Sequence, residues 1–265
     1  MPDFTRAREE MVDRQIAGRG IRDPALLRAM REVPREEFVS AELSHLAYDD
    51  SPLPIEADQT ISQPYIVALM IEAVGLGPGE KVLEIGAGSG YAAAVMSRIA
   101  ERVVAIERHG ELAGIAAARM KRLGYDNVEI IEGDGSTGWP AEAPYEAIIA
   151  AASGSHVPEV LKAQLSIGGV LVMPVGEPSA VQNLYKVPRT PSADFRQEDL
   201  GPVRFVPLIG EQGWRAGSAA PGRPPSSSLE QQLARAAEIL PEINDPGFGA
   251  LFDRFADARV VLLGE

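Results

Sequence analysis

The segment Val82-Leu83-Glu84-Ile85-Gly86-Ala87-Gly88-Ser89-Gly90-Tyr91 combines an apolar run, an embedded acid and three glycines at alternate positions. It reads as a strand that feeds a glycine turn and opens a helix. Glycine is needed there because the backbone must turn sharply and let a ligand approach closely. The spacing is Gly-x-Gly-x-Gly, with an acid two positions before the first glycine. It is not the Gly-x-Gly-x-x-Gly of dinucleotide binders, because position 91 is tyrosine. A pyrophosphate favours bare amides at a helix N-terminus. A ligand that carries a sulfonium and an ammonium but no phosphate, as S-adenosylmethionine does, suits an acid beside the turn.

Glu107 lies seventeen residues past Gly90, at the end of a second apolar run. An acid there can accept hydrogen bonds from both hydroxyls of a ribose. Gly133-Asp134-Gly135 follows a third such run, where the adenine end of the cofactor would lie. Asp134 can accept from the adenine amino group, although Asp-Gly is also common in plain turns. Together these features point to an S-adenosylmethionine-dependent methyltransferase that releases S-adenosyl-L-homocysteine. Glu84, Gly86, Ala87, Gly88, Ser89, Glu107, Asp134 and Gly135 are the expected cofactor-binding residues. They do not name an acceptor. The three histidines (His45, His109 and His156) are scattered, so no metal cluster is expected. His109 and His156 read as surface or supporting groups, and Trp139 as a packing residue.

These residues need a scaffold, which the pattern from Lys81 onward supplies. Strands are expected at 81–85, 102–107, 128–132, 147–152 and 169–174, with helices at 91–100, 111–123 and 158–165 between them. Short apolar runs alternating with helices indicate an α/β, doubly wound, Rossmann-like parallel sheet. Two further runs, 181–187 and 203–208, read as antiparallel edge strands. The first 75 residues read as helices and a substrate loop. Glu9, Met11, Val12, Ile16 and Ile21 form a ragged stripe, and Asp23-Pro24 opens a second helix with the acid as N-cap. Val33-Pro34-Arg35-Glu36-Glu37-Phe38 reads as a break and short restart, and a helix with Ile66, Leu69, Met70 and Ala73 on one face ends near Gly75. The domain plan is therefore a catalytic domain at 1–214, divided into 1–75 and 76–214, a linker at 215–228 and a tail at 229–265.

Composition excludes several classes. The chain has 265 residues and no cysteine, which removes disulfide scaffolds, thiolate nucleophiles and cysteine zinc sites. Asp and Glu outnumber Lys and Arg by 38 to 25, which argues against a broad nucleic-acid footprint. The apolar stretches fall far short of the roughly 20 residues of a membrane helix. The N-terminus has no apolar core of a signal peptide, and a cytoplasmic protein is expected.

From about Met11 to Leu208 the chain resembles the protein-L-isoaspartate O-methyltransferase family. The resemblance is carried by Val33-Pro34-Arg35-Glu36-Glu37-Phe38, Pro52-Leu53-Pro54-Ile55, Gln59-Thr60-Ile61-Ser62-Gln63-Pro64, the Gly-Ser-Gly-Tyr turn, Gly133-Asp134-Gly135, Pro174-Val175-Gly176 and Phe205-Val206-Pro207-Leu208. It implies methylation of the α-carboxylate of L-isoaspartyl residues in damaged proteins and peptides, whose ester then collapses to a succinimide. Ser62 is the implied catalytic residue, with a hydroxyl between cofactor and acceptor; by position alone it reads as an N-cap. Thr60, Ile61, Ser62 and Gln63 are implied to flank the cofactor, and Ser62, Ala151 and Val206 to meet the substrate. A carboxylate has a pKa near about 4 and is already a nucleophile at neutral pH, so no general base is sought. Where the family usually has Gly-x-Gly before Gln-Thr-Ile-Ser, this chain has Glu56-Ala57-Asp58. The alternatives are a methyltransferase of a small carboxylate metabolite and a cofactor-binding domain without turnover. The run at 258–265 resembles the opening of an erythromycin-esterase-like domain, which implies a fused downstream domain; the alternative is a tail that docks on the main domain.

Overall fold

The structure, a computed structural model, describes residues 3–215. Asp3 caps the first helix, Phe4–Glu10 (α1), by accepting from the Arg6 amide. The chain continues as a π-helical turn, Met11–Ile16, whose wider winding buries Met11, Val12 and Ile16 together. That winding explains the ragged apolar spacing. Asp23 caps Pro24–Glu32 (α2) through the amides of Ala25 and Leu26. Short 3-10 turns follow at Arg35–Phe38 and Ala41–Leu46. Leu53–Pro54 (β1) and Thr60–Ile61 (β2) pair as a small antiparallel hairpin. It leads directly into Pro64–Val74 (α3), which ends at Gly75 in the left-handed conformation.

Alternation of strands and helices then builds the sheet. Its elements are Lys81–Ile85 (β3), Tyr91–Ser97 (α4), Arg102–Glu107 (β4), Gly110–Leu123 (α5), Val128–Glu132 (β5), Tyr145–Ala150 (β6), Glu159–Ala163 (α6), Leu165–Val175 (β7), Gln182–Pro188 (β8) and Glu198–Val203 (β9). The strand order is β5-β4-β3-β6-β7-β8-β9, parallel from β5 to β7 and antiparallel beyond. This is a doubly wound, Rossmann-like sheet with antiparallel edge strands. The winding reverses beside β3, and a crevice opens at the carboxyl ends of the strands there, where ligands bind in such sheets.

Side-chain alternation gives the sheet two apolar faces. Val82, Val103, Ala105, Ala147, Ile149 and Val172 pack against the N-terminal helices, α3 and α4. Leu83, Ile85, Val104, Ile106, Ile148 and Leu171 pack on the other side with Leu161 of α6. Each fully buried aliphatic side chain contributes about 1.5–3 kcal/mol.

Several expected boundaries shift. The fourth strand is β6, two residues earlier than 147–152, and the helix expected at 158–165 gives way to β7 at Leu165. Residues 204–208 are not a strand: β9 ends at Val203, and Pro207 makes only an isolated bridge to Ser153. Prolines at 202 and 207 remove the amides that a continuing ladder requires. The expected face of α3 is also corrected. It buries Val67, Ala68, Met70, Ile71 and Val74, while Ile66, Leu69 and Ala73 are half-buried, because the helix is apolar nearly all round. By internal contacts the chain divides into Met1–Pro221 and Gly222–Glu265. The linker expected at 215–228 lies, after Arg215, outside the described residues, as does the tail with its resemblance. Among the described residues no helix is long and apolar enough to cross a membrane.

Candidate active site

The carboxyl ends of β3, β4 and β6 and the β1–β2 hairpin converge on a cavity of about 670 Å³. The glycine turn after β3 forms its floor. Gly86, Gly88 and Gly90 have φ of 85°, 54° and 90°, and a Cβ on Gly90 would lie 2.6 Å from Met120 Cε. The turn therefore needs glycine for its conformation, and at Gly90 a side chain would also push aside the end of Met120. Ala87 and Ser89 also line the cavity, and the Ser89 hydroxyl is buried without a partner.

Glu84 shares a strand face with Val82 and is 2% exposed. Burial, reinforced by the nearby Glu107 carboxylate, holds its carboxyl well above the usual range, although the Ala93 amide opposes this. Its Oε2 has no protein partner. An acidic oxygen left unpartnered in a cavity wall matches a cationic ligand group. Glu107 is also buried, but its oxygens are held: Oε2 accepts from the Gly88 amide and Oε1 from the His109 amide, both at 2.9 Å. Each oxygen keeps a lone pair for a further donor, so the carboxylate is pre-positioned for a vicinal diol. Gly135, after β5, completes this end of the cavity.

Asp134 does not line it. Its Oδ1 accepts from the Ser136 amide at 2.9 Å and its Oδ2 from the Glu211 amide at 2.7 Å. Burial alone would raise this carboxyl, but the Glu211 amide and Ser136 hold it below its ordinary value. A Cβ on Gly210 would sit 2.0 Å from Asp134 Oδ1, so the approach requires glycine. Asp134 thus fastens the 210–212 turn.

The hairpin brings Thr60, Ile61, Ser62 and Gln63 to the cavity wall. Ser62 is not the helix cap: that position is Gln63, which makes no side-chain capping bond, with Pro64 at the first helical position. The Ser62 hydroxyl has no hydrogen-bond partner among the described residues, while its carbonyl accepts from Arg35 Nη2 at 2.9 Å. Gln63 Nε2 donates to Asp50 Oδ2 at 2.7 Å, and the same oxygen pairs with Arg19 Nη1 at 2.6 Å. Ala151 and Val206 line the cavity too. The Ala151 amide is spent on the Ile85 carbonyl and the Val206 carbonyl on the Ser153 amide, both at 2.8 Å, which fixes the two segments against each other.

The family model described as protein-L-isoaspartate(D-aspartate) O-methyltransferase matches residues 6–213. The chain belongs to this family. It is 58% identical over 218 residues to protein-L-isoaspartate O-methyltransferase 1 of Rhodopseudomonas palustris, covering 82% of this chain and 89% of that one. It is 57% identical to protein-L-isoaspartate O-methyltransferase 2 of Pelobacter propionicus, covering 78% and 92%. A solved protein-L-isoaspartate O-methyltransferase superposes with a TM-score of 0.70 at 34% identity, covering 77% of this chain and 66% of that one. A Plasmodium falciparum structure named for the same activity, solved with S-adenosyl-L-homocysteine, gives 0.66 at 27% identity, covering 76% and 98%.

Within this family the Glu56-Ala57-Asp58 loop departs from glycine yet keeps a backbone that suits it. Ala57 and Asp58 have φ of 58° and 55°. Glu56 lies 3.8 Å from Arg119 Nη2, and Arg119 Nη1 donates to the Ser89 carbonyl at 2.8 Å, so one arginine of α5 touches both the loop and the glycine turn. Arg119, Tyr91, Arg35 and the α3 residues Ile66, Val67, Met70 and Ile71 were not expected near the site. Tyr91 and Arg35 lie in segments that carry the family resemblance but have no role in the site from sequence, and Arg119 looks like a solvated helix position. His109 was read as a supporting group; it reaches the cavity because it precedes α5 directly after β4.

Proposed function

We propose that the chain transfers the methyl group of S-adenosylmethionine to the α-carboxylate of L-isoaspartyl residues in damaged proteins and peptides. The observation that carries this reading is the Ser62 hydroxyl, without a protein partner, on the wall of a cavity that also presents Glu84, the glycine turn and Glu107. The unpartnered Glu84 Oε2 and Ser89 Oγ fit a polar, positively charged cofactor. S-adenosylmethionine supplies the methyl group on a sulfonium leaving group. Glu84 would face its positive charge, Glu107 its ribose, and residues 60–63 its exposed side.

Ser62 donates one hydrogen bond to an oxygen of the acceptor carboxylate and leaves the second oxygen free to attack in line. Ala151, tied to β3 through the Ile85 carbonyl, and Val206, tied through its carbonyl to the Ser153 amide, border the acceptor in this reading. The acceptor is an anion at neutral pH, so the residues position it and exclude water, an effect worth roughly 7–11 kcal/mol. The backbone nitrogen that follows then displaces methanol from the ester to close a succinimide, which water partly reopens as normal aspartate. The substrates of this reading are cytoplasmic proteins.

The test uses labelled S-adenosylmethionine and peptide pairs that carry isoaspartate or aspartate at one site. Label on the isoaspartyl peptide alone supports the proposal. Label on small carboxylic acids but on neither peptide replaces it with a metabolite enzyme. Cofactor binding without transfer to any acceptor replaces it with a docking domain.

A further inference from the structure

We propose that Arg35 is a positioning residue that sets Ser62 from behind the cavity wall; the proposal rests on the Ser62 reading above. Arg35 is 0% exposed and heads the largest fully buried side chains. Its Nε donates to the Ala47 carbonyl at 2.7 Å and its Nη2 to the Ser62 carbonyl at 2.9 Å. The guanidinium stacks 4.7 Å from the centroid of Tyr91, the cavity-lining residue that opens α4 just after the glycine turn. One rigid fork therefore joins the 41–47 turn, the Ser62 peptide and the start of α4.

What makes this more than packing is its charge. Among the described residues Arg35 forms no ion pair; its guanidinium and the Tyr91 hydroxyl act on each other, but neither Nη1 nor that hydroxyl makes a hydrogen bond of normal geometry. Asp50 acts on the guanidinium without pairing with it; removing a cation from water without a direct ion pair is unfavourable, and an apolar side chain of similar volume fills space without that penalty. The planar fork does what an apolar chain cannot: it fixes two carbonyls in a set relative direction. Ser62 has a proline two residues on and a two-residue strand before it, so its peptide has few other anchors.

The test compares Arg35→Met, Arg35→Lys, Ser62→Ala and the double variants in the full chain. Folding is checked by far-ultraviolet circular dichroism and cooperative melting. Cofactor affinity is measured by calorimetry, and kcat and KM with an isoaspartyl peptide. The expected result for Arg35→Met is S-adenosylmethionine affinity within about threefold of the parent and kcat lower by roughly 100-fold, the scale of a small misplacement of a reacting group. Arg35→Lys, which keeps the charge and loses the fork, recovers part of that loss. In the Ser62→Ala background neither Arg35 change lowers kcat by more than about twofold, because both act through one group. Unchanged kcat in a folded Arg35 variant, or losses that multiply in the double variants, overturns the proposal and leaves the Ser62 reading standing. If Arg35→Met does not fold, the same criteria apply to Arg35→Lys. Normal turnover by Ser62→Ala alone overturns both.

Discussion

Glu84 sets the electrical character of the cavity. Its carboxyl is raised by burial and by Glu107, so the folded protein keeps a proton that the unfolded chain has released. Above the ordinary carboxylate value of about 4.3 the folded state binds more protons, and stability falls as pH rises through the window up to the raised value. Glu84→Gln removes that slope. Melting curves of cofactor-free protein from about pH 4 to about pH 8 are expected to show the variant gaining on the parent as pH rises. With S-adenosylmethionine present the order reverses, since the variant has lost the anion that meets the cation; calorimetry in buffers of different ionisation enthalpy should detect proton release on binding in the parent alone. Ser62→Ala is expected to lower kcat by about 100-fold or more, the usual loss of one preorganised donor at a reacting oxygen, with cofactor affinity nearly unchanged. Unaltered kcat would remove the hydroxyl from the reaction.

The β1–β2 hairpin is the element on which the site turns. Its loop holds Ala57 and Asp58 in a left-handed backbone that costs non-glycine residues about 1–2 kcal/mol. Ala57→Gly relieves this at some expense in unfolded-state entropy, so chemical denaturation should show a gain of about 0.5–1 kcal/mol. Gly90→Ala runs the other way. It places a methyl against Met120 in a left-handed turn, and a loss of about 1–3 kcal/mol with weakened cofactor binding is expected from the same measurement and from calorimetry. Sequence legibility follows the same physics. The parallel strands and the glycine turn could be read because β3, β4 and β6 are short, mostly apolar runs and glycine at alternate positions has few uses. The edge strand β9 could not: Glu198-Asp199-Leu200-Gly201-Pro202-Val203 pairs through backbone, with no apolar alternation to mark it. Asp134 reads as an adenine contact because its turn follows the third strand, and only the folded chain shows that its carboxylate also takes the Glu211 amide. Arg35 was invisible because a buried cation in Arg-Glu-Glu has the same composition as a solvated face.

At the scale of the molecule, the net charge of −13 biases which peptides arrive. Isoaspartyl peptides flanked by lysine should show higher kcat/KM than glutamate-flanked ones, and the gap should close as ionic strength rises well past about 0.1 M, where the screening length is about 10 Å. The family match spans residues 6–213, so a chain ended after Pro221 is expected to keep kcat within about twofold of the full chain. A larger loss would assign the remaining residues a part in turnover. The last described stretch is stitched down repeatedly: Asp134 takes the Glu211 amide, Ser136 takes the Gln212 amide, and the Trp214 indole donates to the Ser153 carbonyl. Ser153 is also the residue that grips Val206, and Ile209 borders the cavity just upstream. Residues 211–214 are therefore riveted, not slack, against the segments that carry Val206 and Ile209 to the cavity rim.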